Sequence, residues 1–141
     1  MGAPRTSPDE QVYAAVIARL RGASAVTTIA TGGVYSEVPQ TALPPYAKVT
    51  VPVGSRLDTC GRFGANTVVD VDCVISGESQ TAGVRLRSAV ITALDNVKPS
   101  MVGHVALGTS LEGTAYFHEI VNGVKHHHHV ATCRVWTEQA A

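Results

Sequence analysis

An order of pieces constrains this chain more than any single residue does. A helix with a start signal is followed by a Gly32-Gly33 turn, the run Val34-Tyr35-Ser36-Glu37-Val38-Pro39-Gln40, and Leu43-Pro44-Pro45-Tyr46 leading into a strand. Ser7 caps the helix, Pro8 suits a first helical position whose N–H has no partner anyway, and Glu10 completes a capping box. The helix is predicted over residues 8–21, with Tyr13, Val16, Ile17 and Leu20 on its apolar face and Gly22 as its stop. Arg19 and Arg21 in the last turn suit the negative end of the dipole. A short turn is expected around residues 25–30.

Residues 46–53 alternate Ala47, Val49, Val51 and Val53 with Lys48 and Thr50, the pattern of a strand with one buried face. Pro44-Pro45 and Pro52 lack the N–H that a ladder needs, which places this strand at a sheet edge or ends it early. Residues 54–64 are polar and glycine-rich and read as a protruding arm, with Arg56, Asp58 and Arg62 as its polar contacts to an adjacent subunit or to another protein of the same assembly. Residues 67–76 form a second strand, Val69, Val71, Cys73 and Ile75 on one side, Asp70 and Asp72 on the other, wet side. Gly77-Glu78-Ser79 opens a second helix over residues 79–96, with Leu86, Val90, Ala93, Leu94 and Val97 as its core stripe and Lys98-Pro99 as its end. Strands follow over residues 104–111, 114–121 and 124–137, and Asn122-Gly123 is the strongest hairpin signal. The expected fold class is α+β, a mainly antiparallel β-sheet flanked by two α-helices in one domain over residues 8–137. Residues 1–7 are expected to be disordered and 138–141 to form a short tail.

A hydrophobic fraction of 45% in 141 residues lets one domain bury roughly two thirds of its unfolded surface without a disulfide or metal. The 11 basic and 11 acidic residues cancel, so no overall field draws the chain to nucleic acid or an anionic membrane. With only 16% charged residues, the outside is of the kind other subunits cover, and self-association is expected. Cys60, Cys73 and Cys133 are an odd, widely spaced set that argues against a disulfide framework or a zinc site and for a reducing, cytoplasmic context. Cys73 and Cys133 fall on apolar strand faces, Cys60 in the polar loop. The first residues hold no apolar stretch of a secretion signal, and Met1-Gly2 with Thr6 matches a loose myristoylation pattern that reads as a plain chain start.

The internal run His126–His129 flows into a strand, unlike a terminal affinity tag. Counting outward from Asn122-Gly123 opposes Val121 to Val124, Ile120 to Lys125, Glu119 to His126 and His118 to His127. His118, His127 and His129 then share one face. Three imidazoles satisfy zinc, copper or nickel, and an open fourth position would make a small metal-dependent hydrolytic enzyme conceivable. The same pattern suits a polar strand end, and neither a carboxylate base nor an orienting partner stands beside it in sequence. The structural reading, with no cofactor, is preferred. Glu119 and His126 are expected to pair across the strands. No nucleotide loop, nucleophile elbow or paired-cysteine motif occurs.

Val12-Tyr13-Ala14-Ala15-Val16, Gly33-Val34-Tyr35 with Val38-Pro39-Gln40, Leu43-Pro44-Pro45-Tyr46, and the closing His129-Val130-Ala131-Thr132-Cys133-Arg134-Val135 stand in an order that resembles the siphophage tail-completion (tail-terminator) family over about residues 8–137. The histidine run departs from that pattern, which carries a single histidine or another polar residue there. The resemblance implies a non-enzymatic virion tail protein, assembled in the host cytoplasm, that closes the head-proximal end of a phage or gene-transfer-agent tail as a hexameric ring. Its implied partners are further copies of itself, the tail tube protein and the head–tail connector or stopper, with no specific nucleic acid and no membrane. A monomeric binding module fits the fold but leaves the low charge unexplained.

Overall fold

The computed structural model describes residues 4–56, 58, 62–77 and 80–140. The first helix, α1, spans Asp9–Arg21. The helical ladder begins with Val12 N–H on Pro8 O at 2.8 Å, so Pro8 rather than Ser7 stands at the N-cap, with no side-chain cap, and Ser7 Oγ only accepts the Asp9 N–H at 3.3 Å just outside the helix. Its buried side is Val12, Ala15, Val16 and Leu20, a stripe turned away from the expected one, with Tyr13 and Ile17 on the flank. Tyr13 has a reason to sit there: its Oη accepts the Val51 N–H at 3.0 Å, satisfying a strand donor near the sheet edge. A single turn, α2 (Ser24–Thr27), follows, near the stub expected from sequence.

The remaining elements are β1 (Val34–Tyr35), β2 (Tyr46–Arg56), β3 (Gly64–Ser76), α3 (Thr81–Leu94), β4 (His104–Val121) and β5 (Val124–Gln139). They build one five-stranded sheet in the order β1-β2-β3-β5-β4, antiparallel except for the parallel pair β1–β2. The helices share one face of it, with Leu20, Leu86, Val90 and Leu94 packed on Val49, Val69, Val71, Cys73, Ala131, Cys133 and Val135. The fold is α+β, as expected. Burial pushes the Cys73 thiol up to about 12 and the Cys133 thiol up to about 11, so both are neutral core groups. Cys60, Ser79 and Glu78 lie outside the described residues.

Gly32 is where β1 meets the chain entering β2. Its N–H donates to Pro45 O at 2.7 Å, and a Cβ built on it would stand 2.0 Å from Leu43 O. Only glycine allows that approach.

Four boundaries depart from expectation, each for a local reason. The strand expected over residues 46–53 runs on to Arg56, so Gly54, Ser55 and Arg56 pair with Thr67, Asn66 and Ala65 rather than starting an arm. Within it the register shifts between Thr50 and Val53, at Pro52, which has no N–H to give. The extra residue reverses the alternation, and Val53 is 54% exposed instead of inward. The second helix stops at Leu94, because Asn96 turns left-handed (φ 59°), its N–H donates to Thr109 O at 2.8 Å, and Asp95 Oδ1 takes the Leu111 N–H at 2.9 Å. The two strands expected over residues 104–111 and 114–121 are one 18-residue strand with register shifts between Ala106 and Gly108 and between Leu111 and Gly113, the second at the expected break. Asn122 (φ 51°) and Gly123 (φ 78°) make the tight turn, with the pairs counted from sequence. At the far end β5 extends to Gln139, whose side chain bonds Pro4 O (2.9 Å) and the Thr6 N–H (3.0 Å).

Candidate functional site

The β4–β5 hairpin gathers the histidines, and its two faces use them differently. On the helix-covered face His127 is 1% exposed. Its Nε2 lies 2.7 Å from Gly77 O, which only accepts, so Nε2 donates and Nδ1 takes the Tyr116 O–H, also at 2.7 Å. His129, 2% exposed, lies under α3 at Gly83, where a Cβ would come within 2.3 Å of its Cδ2. His118 is exposed, and its ring centroid is 6.5 Å from that of His127. The register brings His118, His127 and His129 to one face as counted, but the Tyr116 ring stands among them, 5.0 Å from His129 and 5.9 Å from His127. Among the described residues no group of three or more His, Cys, Asp or Glu side chains is placed to hold a metal ion.

Both nitrogens of His129 are buried without a hydrogen-bond partner among the described residues. Burial, and then the nearby Arg87 charge, lower its pKa, so the ring is neutral in the fold. The unfolded chain therefore takes a proton here first. Stability from this site is complete above about pH 6.5, the unfolded value, and declines as the pH falls below it. We expect urea denaturation to show less loss between pH 7.5 and pH 5.5 for His129→Leu than for the parent chain. An identical loss would contradict the assignment.

On the other face, His128 binds Asp72 Oδ2 through Nδ1 (2.7 Å) and Glu119 Oε1 through Nε2 (2.9 Å), while Phe117 stacks on its ring at 4.3 Å. Each ring nitrogen therefore has a carboxyl oxygen within hydrogen-bond reach. This clasp ties β3, β5 and β4. Glu119 was expected to pair with His126; their Cα atoms are opposed, but the carboxylate reaches diagonally to His128. Nor is the Asp70–Asp72 side simply wet: Asp70 accepts the Thr132 O–H at 2.6 Å, burial raises the Asp72 pKa, and Val74 is 1% exposed. Diagonal reach was not legible from a directly opposed register, though the aromatic pair Tyr116-Phe117, one for each face, was a signal in the sequence.

Arg56, Asp58 and Arg62 make contacts within the chain. Asp58 pairs with Arg5, accepts Arg56 Nε at 2.7 Å and takes the Gly64 N–H at 3.3 Å; Arg62 Nε lies 3.1 Å from Glu138. Hydrogen bonds from Arg5 and then Arg56 lower the Asp58 carboxyl to about 2. That depressed value makes the contact complete above the ordinary carboxylate range and lost as the pH falls toward 2. Amide exchange at Thr6 and Gly64 is expected to speed up over that interval, and Asp58→Asn to show the fast exchange already at pH 7. Unchanged exchange in the variant would rule out the tether.

Beyond these pairs the outer strand is bare. Residues 111–120 are exposed without interruption, among them Tyr116 (42%), Phe117 (49%) and Ile120 (71%). A long strand at the edge of a layered sheet, with no strand on its outer side among the described residues, is a surface that another chain can cover. The sequence profile described as Tail completion protein gp17 matches residues 14–138, and the chain belongs to that family. It is a structural protein of the phage tail rather than an enzyme. A chain of a solved structure described as "Virion of native gene transfer agent (GTA) particle" has the same fold, with a TM-score of 0.79 at 16% identity, covering 94% of this chain and 99% of that one. No curated protein matches. Among the described residues no helix is long and apolar enough to cross a membrane.

Proposed function

We propose that the protein closes the head-proximal end of a tail tube as a six-membered ring, stops further tube growth and offers its other surface to the head connector or stopper. The observation that carries this reading is β4: an 18-residue strand at the sheet's edge, its outer half exposed and partly apolar. A strand of that kind in an isolated monomer is an invitation to uncontrolled pairing, and a partner that covers it removes the hazard. Identical chains meeting through two different surfaces close into a ring when the rotation per contact allows it. Arg56, Asp58 and Arg62 are then a second contact toward the neighbouring subunit or the tail tube. The reading rests on family membership for its place in the tail and on β4 for its mode of assembly.

Native mass spectrometry and electron microscopy of the protein, alone and mixed with tail tubes, test it. The expected result is a closed ring in solution or one ring at one end of each tube. A monomer that leaves tube ends bare would contradict the proposal.

A further inference from the structure

A recess of about 240 Å³ opens where α1 begins, beyond the stretch of sheet that the helices cover. Its floor includes Thr67 of β3, Thr137 of β5 and His104 of β4, which are 0%, 2% and 8% exposed. Thr67 Oγ1, Thr137 Oγ1 and His104 Nδ1 are buried without a hydrogen-bond partner among the described residues. Thr67 opposes Val135, two residues from Thr137, so the two hydroxyl-bearing side chains are diagonal neighbours on one face. Three orphaned polar groups on a single floor are uncommon in a folded protein, where buried polar groups almost always find partners. Both Oγ1 atoms are buried in this structure, and a turn between staggered rotamers is what would bring each hydroxyl to the recess.

The rim supplies further donors. Arg5 and Arg56 line it beside the Asp9 carboxylate, and the first residues of α1, at the positive end of its dipole, line the same space. Asp58 already takes part of both guanidinium charges, and Arg56 gives it only Nε. His104 Nε2 lies 3.4 Å from Thr6 Oγ1; when it accepts that O–H, Nδ1 carries the remaining proton. Two hydroxyls, a ring N–H and the guanidinium N–H groups not bonded to Asp58 are donors suited to a singly charged, planar acceptor with two oxygens. A doubly charged anion would meet Asp9 without enough compensating charge.

We infer that this recess binds a carboxylate group, presented either as a small free acid or as an acidic side chain of a neighbouring chain. The inference does not depend on ring formation. It is tested by titrating the isotopically labelled full chain with sodium propionate and, separately, with a blocked tripeptide carrying one glutamate, at constant ionic strength and pH, following amide resonances. Saturable shifts centred on Thr67, Thr137 and His104 are expected. The near-isosteric Thr67→Val and Thr137→Val are each expected to weaken binding about tenfold, and so is Arg56→Gln, which leaves the floor intact. Tighter binding of the peptide assigns the site to a protein side chain, equal or tighter binding of propionate to a free acid. Absence of saturable shifts with both probes, unchanged affinity in all three variants, or equal binding of inorganic phosphate would overturn the inference.

Discussion

Leu86→Ala is expected to lower the stability of the chain by about 2–5 kcal/mol. Leu86 lies in the middle of α3 and is 0% exposed. It belongs to the cluster in which α1, α3 and the inward residues of β2, β3 and β5 meet. Truncation removes buried methyl groups and leaves a hole that regular elements on all sides are poorly able to collapse. Val84 on the same helix is 44% exposed, and its replacement by alanine serves as the control, expected to change stability by no more than about 0.5 kcal/mol. Urea denaturation of both variants measures the difference. A cost at Leu86 as small as that at Val84 would mean that the helix does not seat on the sheet as described.

The second large effect concerns assembly instead of folding. Ala115→Lys with Ile120→Lys places two ammonium groups along the exposed outer half of β4, where Ile120 is 71% exposed. Neither position is in the core, so each change is expected to shift stability by no more than about 0.5 kcal/mol. Lysines on an edge strand oppose strand addition, because pairing would strip water from the ammonium groups or turn them onto an apolar partner. The double variant is therefore expected to be a cooperatively folded monomer that no longer assembles. Analytical ultracentrifugation beside a denaturation curve separates the two properties. Assembly at the parent's concentration dependence would move the contact surface away from β4.

Much of the framework was legible because its signals are local. Asn122-Gly123 demands positive φ at consecutive positions, and from that turn the β4–β5 register followed by counting as far as His118 and His127. The alternation through Val69, Val71 and Cys73 set the inward face of β3, since a slip of one residue would have buried Asp70 and Asp72. What escaped depended on contacts between distant segments. The bulges at Pro52 and between Leu111 and Gly113 shift the phase within strands that continue, whereas sequence alone suggested ends. The stop of α3 at Leu94 is enforced by bonds to β4 from Asn96 to Thr109 and from Leu111 to Asp95, between residues more than ten positions apart in the chain. The His118, His127 and His129 face was readable, but that Tyr116 would occupy the space among the rings, and Gly77 O would take His127 Nε2, was not. Likewise the recess over Thr67 and Thr137 depends on where α1 begins, which the strand residues alone did not reveal.

Electron microscopy of particles assembled without this protein, and again after it is supplied in trans, bears most directly on the central claim that it caps the head-proximal end of the tail. The account predicts tail tubes of uncontrolled length with open ends and no attached heads, restored to uniform, head-joined tails by the parent chain and not by the Ala115→Lys, Ile120→Lys variant. Uniform, head-joined tails in particles that lack the protein would contradict it.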